Sequence, residues 1–155
     1  MAIIGSLMQT EMVTATPDEK VSDVAQRMRD NRVGAVLVVD GDTLAGLFSE
    51  RDLLMRVVAE GRDPSATKVI EVATKTLVTV SVDTHVRECA RILKEKRFRH
   101  LPVMAGGKAV GILSARDFFE YVVDGLERFV DEIRYQQQLE DGVDPYDRFG
   151  GSYGG

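Results

Sequence analysis

The chain contains itself twice. Gly46-Leu47-Phe48-Ser49-Glu50-Arg51-Asp52 recurs as Gly111-Ile112-Leu113-Ser114-Ala115-Arg116-Asp117, a shift of 65 residues between Asp52 and Asp117. The same shift pairs Val13 with Val78, Thr14 with Thr79, Asp18 with Asp83, Ala25 with Ala90, Arg32 with Arg97, Gly41 with Gly106 and Val57 with Val122, without an insertion. An ungapped repeat of this length means two copies of one folded unit, so any architecture must be built from a duplicated half. What recurs best is a polar Ser-x-Arg-Asp after a short apolar run, which directs attention to two similar sites rather than to the core alone.

Composition narrows the setting. The 155 residues suit one compact body or two small, intimately packed ones, and a 44% hydrophobic content supplies a core. No apolar stretch reaches the roughly 18 residues of a membrane span, and residues 1–10 lack a basic, cleavable leader pattern. The single Cys89 gives neither a disulfide framework nor a zinc spacing. A reducing, cytoplasmic setting is the expectation. The net charge of −5 argues against a nucleic-acid or acidic-membrane partner. Arg87, Arg91, Lys94, Lys96, Arg97 and Arg99 crowd one stretch, read either as a solvated helix face or as a local anion site.

Each copy carries the same succession of signals. In the first, residues 13–15 form a short strand candidate, Thr16-Pro17-Asp18 a turn and helix entry, and Val21, Val24, Ala25 and Met28 an amphipathic helix. Residues 35–39 read as a buried strand, Asp40-Gly41-Asp42 as a tight turn, and 44–48 as its hairpin partner. Ser49 sits at a helix cap with Asp52 three residues on, a variant capping box. The second copy repeats this with strands at 78–80, 100–104 and 109–113 and helices at 86–96 and from Ser114 through Val123. Each unit is therefore β-α-β-β-α, an α/β fold. Residues 61–65 read as a loop and 66–73 as a short connector. The last helix can continue, since Leu126, Phe129, Val130 and Ile133 share one face. Residues 141–155 lack periodicity and are expected to be flexible.

A strand-to-helix junction exposes free backbone N–H groups and the positive end of the helix dipole, which attracts phosphate or carboxylate. Ser49 and Ser114 add hydroxyls there. An ionised Asp52 or Asp117 accepts from vicinal hydroxyls such as those of a ribose, and Arg51 or Arg116 presents a planar fork to a phosphate. Simple helix capping is the competing explanation of any single Ser-x-x-Asp.

Two such units, with Arg-His-Leu-Pro-Val at 99–103 in the second, resemble a tandem pair of cystathionine-β-synthase (CBS) domains, the Bateman module. The resemblance implies two repeats packed as a pseudo-twofold pair: domain one at 7–60, domain two at 72–125, a helical extension at 126–140 and a tail at 141–155. It also implies a non-enzymatic regulatory module that binds an adenosine compound, AMP first, with ADP, ATP, NAD or S-adenosylmethionine as other choices. The implied partners are a second copy in a homodimer and a client protein. No catalytic residue and no metal ligand are expected.

Carried over residue by residue, the resemblance implies two pockets, each mixing both copies. One is closed by Asp52 with Leu47, Ser49 and Arg51, and receives Val78, Thr79, Phe98, Arg99 and His100. The other is closed by Asp117 with Ile112, Ser114 and Arg116, and receives Val13, Thr14, Val33, Gly34 and Ala35. The pockets are unequal, because Arg99 and His100 in one correspond to Gly34 and Ala35 in the other. The Asp52 pocket is therefore expected to prefer phosphorylated ligands.

Several features are read as structural. Gly106-Gly107-Lys108 lacks the rest of a phosphate-binding loop pattern and fits a hairpin turn. Cys89 lies on an apolar helix face, His85 at an exposed helix start, and Met28, Met55 and Met104 at apolar positions expected to be core. Family members often carry Met-Thr ahead of the second copy's first strand, where Ala73-Thr74 stands here. A ligand-free dimerisation or scaffold module is the rival reading. An enzyme using Asp52 or Asp117 as a base with His100 lacks a nucleophile or metal beside them.

Overall fold

The computed structural model describes residues 3–7, 11–96 and 98–142. The chain divides into two units, Met1–Phe118 and Phe119–Gly155.

The first unit holds two three-stranded sheets of the same topology. In copy one, β1 (Thr14–Ala15) runs parallel to β2 (Ala35–Asp40), and β2 pairs antiparallel with β3 (Thr43–Ser49). Parallel neighbours need a crossover, which α1 (Val21–Asn31) supplies by burying Val21, Val24 and Met28. The β2–β3 hairpin turns on Gly41, whose φ of 60° is the left-handed conformation that glycine adopts freely. Copy two repeats the arrangement with β4 (Val80–Ser81), α4 (Val86–Lys96), β5 (His100–Ala105) and β6 (Lys108–Ser114). Its hairpin turns on Gly106 and Gly107, with φ of 57° and 77°. Even the ladder irregularities correspond, falling between Val38 and Val39 in one copy and Val103 and Met104 in the other.

Three apolar clusters organise this unit. One collects the copy-one residues Ala15, Val21, Val24, Val36, Val38, Phe48 and Val57 together with Val69, Val72 and Ala73 from α3 (Val69–Val72) and its end. The second collects Val80, Cys89, Leu101, Val103 and Leu113 of copy two together with Ile4, from a short 3-10 turn over Ile4–Ser6. Each copy's leading segment thus packs into the other copy's core. Ile4 and Val69 obey the same 65-residue shift, as do Leu7 and Val72. The third cluster joins the two sheets, with Ala35, Leu37 and Leu47 packed against Leu77, Ala109 and Ile112.

The helix read as starting at Ser49 is not uniform. Three α-helical residues, α2 (Glu50–Asp52), lead into a wider π-helical winding over Leu53–Val58. The wider turn points Val57 inward, buried, and leaves Leu54, Met55 and Val58 largely exposed. Met55 is thus not core, as its apolar position suggested. The final helix, α5 (Ala115–Glu140), runs 26 residues without a break. Its part within the second unit exposes Phe119, Val122, Leu126, Phe129, Val130 and Ile133. The tail expected to be flexible lies, from residue 143 on, outside the described residues.

Candidate functional site

A cavity of about 400 Å³ opens where the end of β3 and the start of α2 meet the connector before β4 and the start of β5. That volume lies within the range typical of small-molecule sites. Its lining includes Leu47, Ser49, Arg51, Asp52, Val78, Phe98, Arg99 and His100. These are eight of the nine residues expected at the Asp52 pocket. Thr79 is the exception: extended chain alternates its side chains, so Val78 faces the cavity and Val80 the core while Thr79 is exposed.

Asp52 is the most constrained side chain here. It is 7% exposed, and its carboxylate closes a capping box. The Ser49 backbone N–H donates to Oδ2 at 3.0 Å and the Ser49 hydroxyl at 3.1 Å, while the Asp52 N–H donates to Ser49 Oγ at 3.3 Å. Capping and a place in the cavity lining are thus compatible, because the box uses Oδ2 and leaves Oδ1 to other partners. To Oδ1 Thr74 Oγ1 donates at 3.2 Å, and Arg56 Nε stands 3.5 Å from it.

Thr74 and Arg56 are cavity residues that the sequence reading missed. Thr74 arrives through the backbone: its N–H donates to Leu47 O at 2.8 Å and its carbonyl accepts from Leu47 N–H at 2.9 Å. The departure at Ala73-Thr74 therefore leaves the threonine in place, with Ala73 buried in the copy-one core. Arg56 sits one helical turn beyond Asp52 and also donates to Ala73 O at 3.2 Å. An acid and a base four residues apart was the available signal. Glu50, Met55, Thr76, Leu77 and Pro102 complete the lining.

The charged stretch around α4 splits in two. Arg91 is tied to Glu88 and Glu95 on the helix surface, whereas Arg99 lines the cavity. Arg97 lies outside the described residues. His100, half-buried, pairs in register with Ser114. Burial pushes its imidazole below the ordinary value; the carboxylates of Glu50 and Asp117 pull it up, and Arg99 lowers it further.

The cavity includes none of the nine residues expected around Asp117. Ser114 and Asp117 reproduce the capping box, with the Asp117 N–H donating to Ser114 Oγ at 3.0 Å and the Ser114 N–H to Asp117 Oδ2 at 3.4 Å. Ala35 and Ile112 meet in the cluster between the sheets. Thr14 is exposed, its carbonyl accepting from Arg27 at 2.8 Å. Val33 and Gly34 form the approach to β2, and the Gly34 carbonyl accepts from the Glu50 N–H at 2.9 Å. Val13 packs beside the copy-one core, and Arg116 is exposed at the start of α5.

Cys89 is buried, and desolvation with the nearby Glu88 charge pushes its thiol up to about 11. His85 is exposed. Among the described residues no three His, Cys, Asp or Glu side chains cluster as a metal site, and no helix is long and apolar enough to cross a membrane.

The family profile of the CBS domain matches residues 4–59 and 69–124. The CBS domain-containing protein YhcV of Bacillus subtilis is 29% identical over 117 residues, covering 76% of this chain and 83% of its own. The crystal structure of the CBS domain NE2398 superposes with a TM-score of 0.75 at 29% identity, over 79% of this chain and 98% of that one. A crystal structure of CBSX2 in complex with AMP superposes at 0.67 with 25% identity, over 79% and 96%.

Proposed function

Since the chain belongs to the CBS-domain family, with both repeats matched, we propose that it is a regulatory module whose Asp52 cavity binds a phosphorylated adenosine compound, AMP foremost. The observation that carries this reading is the lining itself. Leu47, Val78 and Phe98 offer an apolar bed for a base, and the Asp52 carboxylate lines the same cavity, where ribose hydroxyls can take the place of its half-exposed partner Arg56. Arg51, Arg56 and Arg99 supply guanidinium forks for phosphate. Against them stand two carboxylates, Glu50 and Asp52, so the fixed charges leave one net positive charge. That balance suits a monophosphate better than a metal-free triphosphate. The complex of the similar CBSX2 with AMP supports the same ligand class.

The output is a change in the relation between the copies, read by a client protein or by the module's own assembly. Dimerisation of two copies is supported by the apolar residues that α5 exposes. Calorimetric titration with AMP, ADP, ATP, NAD, S-adenosylmethionine and GTP tests the reading. Adenosine phosphates should bind and GTP should not, and Asp52→Ala should lose binding while keeping its circular dichroism. A protein that binds none of them is a scaffold.

A further inference from the structure

We propose that the Asp52 cavity takes up a proton on His100 when the phosphate of its ligand enters, so that affinity rises as pH falls. The inference rests on the nucleotide reading of this cavity and adds its regulation by pH.

The geometry sets one imidazole among guanidinium and carboxylate groups. His100 opens β5 and lines the cavity beside Arg99. Arg51, Arg56 and Arg99 bring three guanidinium groups to the same cavity. The carboxylates near the imidazole are Glu50, from the start of α2, and Asp117, from the start of α5. Asp52 lines the same cavity but is committed to Ser49, Thr74 and Arg56. Burial outweighs Glu50 and Asp117, and the imidazole is held neutral at neutral pH.

An entering phosphate changes that balance. It carries about −1.5 to −2 charge, and at an effective dielectric of about 20 a dianion a few ångström away raises an imidazole by about one pH unit or more. A proton then binds with the ligand. The phosphate's own ionisation near about pH 6 acts with the opposite sign, since a cavity that prefers the dianion loses affinity as the ligand protonates. The direction of proton flow therefore identifies the group responsible.

The chain has two histidines, His85 and His100. Their imidazole signals can be followed by NMR across pH with and without AMP, with His85 as the reference. The His100 curve should move to higher pH in AMP. Calorimetry in buffers of unlike ionisation enthalpy should show net proton uptake, and the ratio of the Kd of His100→Gln to that of wild type should grow by about tenfold between about pH 8 and about pH 6. AMP binding with a stationary His100 signal, with proton release, or with a flat Kd ratio overturns the proposal and leaves the nucleotide reading standing. If AMP binds at no pH, the AMP reading of the cavity falls and this inference falls with it. The NMR arm needs no variant, so it does not depend on how His100→Gln folds.

Discussion

Replacing Asp52 by alanine removes three interactions that the structure separates. The capping box loses its acceptor for the Ser49 N–H, an effect of about 1 kcal/mol. Thr74 Oγ1 loses the carboxylate to which it donates at 3.2 Å, about 1 kcal/mol more, and toward the low end because the open cavity lets water replace the partner. Arg56 is half exposed, so its pairing adds at most about 0.5 kcal/mol. The sum is about 2 kcal/mol. Thr74→Val should cost about 1 kcal/mol by itself, because it keeps the shape and removes only the hydroxyl. The decisive quantity is the double-mutant cycle: the two changes share one hydrogen bond, so together they should cost about 1 kcal/mol less than their separate effects imply. Urea unfolding of the four proteins at equal m-value measures it. A coupling within about 0.3 kcal/mol of zero would refute the role of Thr74 as the clasp that holds Asp52 in the cavity lining.

Four other outcomes follow from the same geometry. A Cβ at Gly46 would stand 3.1 Å from the Thr74 carbonyl oxygen and 3.3 Å from Ala73 Cβ. Gly46→Ala should therefore cost about 1–3 kcal/mol and distort the cavity. At Gly34 the nearest atom is the movable Glu50 Oε1, at 3.1 Å, so Gly34→Ala should cost less in the same unfolding assay. Cys89, with its thiol raised to about 11, should resist a disulfide-exchange reagent at pH 8 until denaturant unfolds the chain; rapid labelling of the native protein would contradict its burial. His100 has a folded value below its ordinary 6.5, so the unfolded chain binds more protons there and unligated stability should fall as pH drops from about 6.5. That limb should flatten in His100→Gln. Asp18 and Glu19, lowered by hydrogen bonds from Lys68 and Arg27, lose their contribution at more acid pH, which keeps the two limbs apart.

How much of this was visible in the sequence depends on the range of the interaction. Both hairpins and α4 follow from local patterns: apolar runs, glycine turns and a helical stripe. The capping boxes follow from Ser-x-x-Asp. Thr74 stood out only through the family's Met-Thr pair, because nothing local to it indicates that its backbone will pair with Leu47, a contact between distant parts of the chain. The π-helical winding over Leu53–Val58 had no signal either, since a run such as Leu53-Leu54 fits more than one helical period. The exchange of leading segments was legible in principle: Ile4 and Val69 obey the repeat shift, and extending the alignment that far would have shown that each copy includes them.

The duplicated fold is symmetric where it packs and asymmetric where it meets charge, and one pair of contacts explains how. The Glu50 N–H donates to the Gly34 carbonyl at 2.9 Å, and its repeat equivalent, the Ala115 N–H, donates to the Arg99 carbonyl at 2.7 Å. Backbone geometry is the same at both, so what differs is which partner has a side chain. At the first contact Glu50 fills the space and a Cβ on its neighbour would meet the carboxylate, which makes glycine the fitting residue at 34. At the second, Ala115 takes little room and its neighbour Arg99 lines the cavity. Each large residue is matched by a small one across the contact, so changing one member alone disturbs its partner. The inequality of the two halves is therefore built into paired positions. It concentrates Arg99, His100 and Glu50 around one cavity and leaves the equivalent places in the other half to Gly34, Ala35 and Ala115.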